Sequence, residues 1–302
     1  MHTRATAAYN WQFSRLEASV CRPAAGVSVE HETPVNEFTA ASQGGPKRCA
    51  RRLYPLFCGY EICDIGVSLR GHSGQLISAP IGVFLTETDT GYVLIDSGCN
   101  EEIIWDPDRC PVYYSAFRHP VLRPEDTLLR RLESIGVQPS TVTHVVITHL
   151  HSDHAGGIRL FPDASIVVQR PEYERAMAQV NPFQPYFRAD WDLPTTRWVV
   201  IEGDVEVAPG VTALATYGHT PGHQAALVEL PRTGAVLIPG DAGDLVRNFE
   251  EDIPPGGATD LVAAIASQRR LKDLWRDRHA LLFPGHDLSA WRRYKQAPDF
   301  YD

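Results

Sequence analysis

The chain has 302 residues, of which 43% are hydrophobic and 22% are charged, and this excludes both a disulfide-stapled mini-protein and a disordered chain. Its 28 basic and 37 acidic residues give a net charge of −9. That charge disfavours nucleic acid as a partner and favours a neutral small molecule.

Residues 1–51 lack sustained periodicity and end in a Gly-Gly-Pro stretch, so we expect an N-terminal extension that could be partly disordered, followed by one folded domain over 52–302. No apolar run reaches the length of a secretory signal or the roughly 18 residues of a membrane span. We therefore expect a cytoplasmic protein without a membrane span. The oligomeric state stays open, and a dimer is one option.

Six irregularly spaced cysteines are expected to be reduced thiols, with a Cys58–Cys63 disulfide as the second option.

Strand and helix signals begin after residue 52. Residues 81–86 and 92–95 are predicted to form a β-hairpin, and 124–135 a helix that stops at Gly136. Further strands are predicted at 142–147, 165–168, 198–201, 211–215, 224–230, 235–238 and 281–283, and further helices at 171–180 and 260–276. Strands in both halves, each group closed by a helix, predict an α/β sandwich.

The segment after strand 142–147 places His149, His151, Asp153 and His154 within six positions. Residues two apart in an extended segment point the same way, so His149 and His151 can reach one metal ion, while the following turn directs Asp153 and His154 elsewhere. This geometry suits two adjacent ions. Imidazole and carboxylate ligands without thiolates favour Zn²⁺ in an open site.

Two ions need additional ligands, and the sequence offers them where later strands end. His219 follows strand 211–215, Asp241 follows 235–238, and His286 follows 281–283. An ionised Asp241 has two acceptor oxygens and can bridge both ions. Each ion would then have three ligands of its own in addition to the bridge.

The His-x-His-x-Asp-His pattern, with its later ligands, resembles the metallo-β-lactamase superfamily over about residues 52–302. The resemblance implies an αββα sandwich. It also implies a first ion bound by His149, His151 and His219, a second bound by Asp153, His154 and His286, and a bridge at Asp241. Asp96 matches the structural aspartate that orients a ligand loop in that superfamily.

Residues 241–254, with Asn248-Phe249-Glu250, are most similar to the N-acyl homoserine lactone lactonases, the quorum-quenching branch. The expected function is a dinuclear zinc hydrolase that opens an acyl lactone ring by attack of a metal-bridging hydroxide. The alternatives are a glyoxalase II-like thioester hydrolase or another small-molecule lactonase of the superfamily. A more distant alternative is a non-catalytic metal-binding scaffold.

Three residues are candidates for direct catalytic roles. Many of these lactonases place a tyrosine three residues after the bridging aspartate, where this chain has Asp244. Either Asp244 or Tyr217 is therefore a candidate for contacting the lactone. Asp153 could pass a proton to the leaving oxygen, although a role as a metal ligand is preferred. The aromatic segments 105–117 and 181–191 are candidate walls of an acyl groove.

Overall fold

Two β-sheets form the centre of the fold. The computed structural model describes residues 48–106, 118–178 and 185–302, so the predicted extension lies outside the described residues except for positions 48–51. The first sheet has seven strands in the order β4-β1-β2-β3-β5-β6-β7, and the second has five in the order β12-β11-β10-β9-β8. The strands of the first sheet are β1 (Arg52–Asp64), β2 (Leu76–Thr88), β3 (Gly91–Ile95), β4 (Arg118–Val121), β5 (Val142–Val146), β6 (Ser165–Gln169) and β7 (Arg197–Ile201). Those of the second are β8 (Val205–Ala208), β9 (Val211–Ala215), β10 (Gln224–Leu230), β11 (Gly234–Ile238) and β12 (Leu281–Leu282).

Seven α-helices accompany the sheets in the described ranges, and four of them cover the outer faces. They are α1 (Ile65–Ser68), α2 (Leu128–Ser134), α3 (Ser152–Ala155), α4 (Arg170–Met177), α5 (Val246–Glu250), α6 (Leu261–Asp277) and α7 (Leu288–Trp291). Leu132 of α2 and Ala176 of α4 pack on the first sheet, while Phe249 of α5 and Leu271 of α6 pack on the second. A third apolar cluster lies between the sheets. The predicted αββα sandwich is therefore confirmed.

The strand directions bring the ends of several strands to one edge. Strands β3, β5, β6 and β7 run parallel to one another, whereas β1 and β2 pair antiparallel to their neighbours. Ligand-bearing loops in such sheets project from the carboxyl ends of the strands. The loops after β3 and β5 therefore meet on the same side of the sandwich.

Local sequence explains the elements next to the site. Val145 faces the outer apolar cluster and Val146 the inter-sheet cluster, because successive side chains of a strand point to opposite faces. The predicted continuous apolar run is thus buried on both sides. Helix α6 begins where the Asp260 carboxylate accepts the N–H groups of Val262 and Ala263 at 3.0 Å, and such a capping carboxylate stabilises the first turn of a helix.

Some elements differ from the prediction. Strand β1 was not predicted, because Pro55 and Gly59 interrupt its apolar pattern, and in the structure Gly59 lies at a bulge with φ +99°. The short strands β4 and β8 also lacked a signal. Helix α4 ends at Met177, before the predicted end at Val180, which lies outside the described residues.

No disulfide joins Cys49, Cys58, Cys63 and Cys99, so within the described ranges the expected reduced state holds and the Cys58–Cys63 disulfide is not formed. Cys21 and Cys110 lie outside those ranges.

The last residues of the predicted extension join the sheets. The Ala50 N–H donates to the Glu229 carbonyl at 2.8 Å, and the Arg51 N–H to the Glu87 carbonyl at 2.7 Å. Ala50 is buried, so regular packing reaches back at least this far. No helix in the described ranges combines the length and apolar character that crossing a membrane requires.

Candidate metal centre

The four clustered ligand candidates leave the sheet at the end of β5. His149 and His151 lie in the loop that follows the strand, and Asp153 and His154 lie in the short helix α3, which His151 precedes. All of these side chains are buried except that of His151, which is partly exposed. The change from loop to helix directs the two pairs to different positions, as the sequence predicts.

The other three candidates come from the second sheet. His219 follows β9, Asp241 lies in a single 3-10 turn after β11, and His286 follows β12. Gly218, beside His219, has φ +135°, and a Cβ there would lie 2.2 Å from the Ala264 backbone nitrogen. Only glycine therefore lets this loop pack against the start of α6.

Six of the seven side chains form two groups of converging atoms. In the first group, His151 Nδ1 lies 2.9 Å from His149 Nε2 and 3.2 Å from His219 Nε2. In the second, His154 Nε2 lies 3.2 Å from Asp153 Oδ2, and His286 Nε2 lies 3.7 Å from the same oxygen. Within each of these two groups the potential ligand atoms all lie within 4.8 Å of one another.

Asp241 lies between the two groups, with one oxygen towards each. Its Oδ2 is 3.3 Å from His219 Nε2 and 3.9 Å from His149 Nε2. Its Oδ1 is 3.3 Å from His154 Nε2 and 3.2 Å from His286 Nε2. A fully buried carboxylate in this position can serve both groups at once.

Hydrogen bonds orient the imidazole rings. His154 Nδ1 donates to Asp96 Oδ2 at 2.8 Å, and His286 Nδ1 donates to the Pro80 carbonyl at 2.8 Å. Because these bonds occupy Nδ1, each ring presents an unprotonated Nε2 when neutral, which is the form that binds a metal ion. Asp96 also accepts the Thr148 N–H at 2.7 Å and so holds the loop that carries His149.

His223 anchors the candidate bridge. Its Nε2 accepts the Asp241 N–H at 3.0 Å, while its Nδ1 donates to the Thr216 carbonyl at 3.1 Å. Burial, together with the neighbouring His219, lowers the pKa of His223 to about 3. The ring therefore stays neutral and keeps accepting the Asp241 N–H.

The pKa values of the buried ligand candidates are shifted by burial and by their charged neighbours. Burial raises the pKa of Asp241, but the histidines around it, His154 foremost, outweigh burial and hold the pKa well below its usual range. Burial lowers the pKa of His286, yet Asp241 and its neighbours raise it to about 9. Burial lowers the pKa of His149 well below its usual value. Since metal ions bind the deprotonated ligands, loading would displace protons from this cluster.

The buried nitrogen atoms also fit a metal. The Nε2 atoms of His154 and His286 are buried without a hydrogen-bonding partner among the described residues, although each faces carboxylate oxygens. Buried polar atoms in that state are costly unless something coordinates them. This donor set of imidazole nitrogens and carboxylate oxygens suits a divalent ion of the zinc type.

The two remaining catalytic candidates lie in different surroundings. Asp244 is buried three residues after Asp241 and accepts the Ser68 hydroxyl at 2.7 Å. Its charge contributes to the raised pKa of His286, so it lies within electrostatic reach of the cluster. The Tyr217 hydroxyl donates to Gln169 Oε1 at 3.2 Å, and its pKa is raised by burial.

Of the two aromatic segments, Trp105 is exposed and 107–117 lies outside the described residues. Residues 181–184 of the other segment also lie outside them. Trp191 is buried in the outer core. The Tyr186 ring meets the His151 ring edge-on, with centroids 5.1 Å apart.

Sequence reasoning missed supporting groups that come from distant parts of the chain. The Pro80 carbonyl lies 206 positions from His286, and the Glu172 carboxylate of α4 accepts backbone N–H groups from two ligand loops. Every residue has a backbone carbonyl, so the sequence does not indicate that the one of Pro80 accepts a hydrogen bond. Glu172 reads as an ordinary acidic residue in the first turn of a helix, so no local pattern marks it.

Comparison with known proteins agrees with this site. The metallo-beta-lactamase superfamily model matches residues 81–286, and the chain belongs to that superfamily.

Its relatives include N-acyl homoserine lactonases. The chain is 33% identical to N-acyl homoserine lactonase AttM of Azorhizobium caulinodans over 270 residues, which cover 83% of this chain and 98% of that protein. It is also 33% identical to N-acyl homoserine lactonase AiiA of Bacillus thuringiensis subsp. kurstaki over 231 residues, or 75% of this chain and 89% of that one. A solved N-acyl homoserine lactone hydrolase, with the product N-hexanoyl-L-homoserine at its catalytic metal centre, matches with a TM-score of 0.76 and 31% identity. That match covers 84% of this chain and all of the other.

Proposed function

We propose that this protein is a metal-dependent hydrolase that opens the lactone ring of N-acyl homoserine lactones. The observation that carries the proposal is the position of Asp241, whose two oxygens face two separate groups of ligand atoms. The similarity to AttM along nearly its whole length supports the choice of substrate. The substrate would be a neutral acyl lactone.

We assign two divalent ions, with zinc the favoured metal, to these groups. His149, His151 and His219 would hold the first ion, Asp153, His154 and His286 the second, and Asp241 both. When bound, such ions lower the pKa of bound water towards about 7 and polarise a carbonyl oxygen. Asp153 acts as a ligand in this assignment, because its Oδ2 faces two imidazole nitrogens.

The chain's own groups keep this arrangement in place. Asp96 and the Pro80 carbonyl fix the rings of His154 and His286, and His223 fixes the backbone of Asp241. Preorganised ligands of this kind cost no rearrangement when the reaction starts. Asp244, held by Ser68, is the residue through which this chain would differ from lactonases that have a tyrosine at that position.

A substrate comparison tests the proposal. Metal-loaded protein is incubated with N-hexanoyl homoserine lactone, a glutathione thioester and a β-lactam, and kcat/KM is measured for each. We expect the lactone to be opened much faster than the other two. Rapid turnover of the thioester without opening of short- or long-chain acyl lactones would contradict the proposal and identify a thioester hydrolase.

Matched variants connect the activity to the cluster. His286→Ala removes a buried nitrogen that faces Asp241, and we expect it to lose a metal ion together with lactonase activity. His72→Ala changes an exposed histidine and should leave both unchanged. Equal activity in the two variants would show that the reaction does not use this cluster.

A further inference from the structure

Glu172 lies beside the proposed metal centre but is not one of its ligands. It lies in the first turn of α4, and its side chain is fully buried. Its Oε1 accepts the Leu150 N–H at 2.9 Å, and its Oε2 accepts the Gly222 N–H at 3.2 Å. Burial raises the pKa of this carboxyl, against the lowering effect of those N–H groups. An acid this deeply buried needs such partners to remain in the fold.

The two N–H groups belong to different ligand loops. Leu150 separates His149 from His151, and Gly222 lies three residues after His219. One carboxylate therefore joins the loop after β5 to the loop after β9, which together carry the first group of ligands. The imidazole rings of the second group have hydrogen bonds that do not involve Glu172, since Asp96 binds His154 and the Pro80 carbonyl binds His286.

The contact between α4 and the His219 loop is close. A Cβ on Gly222 would lie 2.1 Å from the Glu172 backbone nitrogen, so the loop rests directly on the start of the helix. Tyr186 lies beside Glu172, and its ring packs against the ring of His151. Burial and then the Glu172 carboxylate raise the pKa of the Tyr186 hydroxyl, which keeps it protonated beside the acid.

We propose that Glu172 is the positioning residue for one half of the metal centre, because it fixes the distance between the His149-x-His151 loop and the His219 loop. The inference rests on the proposed dinuclear site. Groups that orient ligands from outside the coordination sphere typically change metal affinity by about 10- to 100-fold when removed. The effect here should fall on one ion and spare the other.

Glu172→Gln is the direct test, because it retains one acceptor oxygen and turns an amide NH₂ towards the second N–H. Metal-free protein is titrated with cadmium, and both stepwise dissociation constants are measured. We expect one constant to rise by about 10- to 100-fold and the other to stay near wild type. Cadmium NMR of the loaded protein should show one of its two resonances displaced and the other retained.

Glu174→Gln is the matched control, since Glu174 is an exposed acid on the same helix. It should reproduce the wild-type titration and spectrum. Equal weakening of both ions in Glu172→Gln, or no weakening, would overturn the inference. If wild-type protein itself binds fewer than two ions, the proposed dinuclear function fails instead, so the two failures are distinguishable.

Gly222→Ala perturbs the same contact from the other side. The added Cβ has to push the His219 loop away from α4, so we expect the same cadmium resonance to move as in Glu172→Gln. This variant decides the question if Glu172→Gln does not fold. Displacement of the other resonance alone, or an unchanged spectrum, would overturn the inference.

Discussion

Replacing Asp241 with asparagine keeps the size of the side chain and removes its charge. Asp241 is fully buried, and four histidine Nε2 atoms lie 3.2 to 3.9 Å from its oxygens. Its backbone N–H donates to His223, and that anchor survives the substitution. The change therefore tests the charge of the bridge more than the fold around it.

An order-of-magnitude Coulomb energy gives the size of the effect. Two unit charges about 4 Å apart interact by about 4 kcal/mol at an effective dielectric constant of about 20. A divalent ion doubles that interaction, while the amide oxygen and easier desolvation of the neutral side chain return part of it. We therefore expect at least about 2.8 kcal/mol of lost binding free energy, or about 100-fold in affinity, for an ion at this site.

Competition titration with a metal chelator of known affinity measures the loss. Asp163→Asn makes the same charge change at a side chain that is 71% exposed, so it controls for the overall charge and should bind as wild type does. If Asp241→Asn binds two ions with wild-type affinity, Asp241 does not bridge them and the reasoning is wrong.

Three further outcomes are expected. Asp244→Ala should lower the free energy of unfolding by about 1 to 3 kcal/mol in urea, because the buried Ser68 hydroxyl loses its acceptor, and Asp244→Asn should lower it less. Burial alone would raise the pKa of Asp126, but hydrogen bonds from Arg123 outweigh burial and lower it. The stability that Asp126 contributes is then present above its unfolded pKa of about 3.9 and lost as pH falls through the folded pKa. The free-energy difference between wild type and Asp126→Asn should therefore shrink in acid, and a constant difference would contradict this. Deletion of residues 1–47 should leave metal content and kcat unchanged, whereas a much higher KM alone would place the extension at the substrate.

The parts of the fold that the sequence predicts are those with local signals. The β-branched run 142–147 and the helix beginning at Asp260 carry their pattern within a few residues, and both form as expected. Strand β1 is as long as β2, yet the sequence does not predict it because Pro55 and Gly59 interrupt its apolar pattern. Its pairing with β2 overrides those residues, and such long-range pairing leaves no mark in a short sequence window.

The same distinction holds at the site. The dense His-Asp segment and the strand-end positions of His219, Asp241 and His286 marked the candidates, because each lies where a strand must end. Of the groups that hold them, Asp96 was marked by the family resemblance. The Glu172 and Pro80 contacts were not predictable, since they join segments 22 and 206 positions apart in the chain. Asp244 remains a candidate for contacting the lactone, and its bond to Ser68, a partner 176 positions away, left no local mark in the sequence.

Lactone opening measured against metal content tests the central claim most directly. Metal-free, full-length protein is loaded with increasing equivalents of zinc, and ring opening of N-hexanoyl homoserine lactone is followed by proton release. We predict that activity is absent without metal and rises to a plateau at two equivalents per chain, since Asp241 joins two groups of ligands. A plateau at one equivalent would contradict the dinuclear centre, and no ring opening at any loading would contradict the lactonase itself.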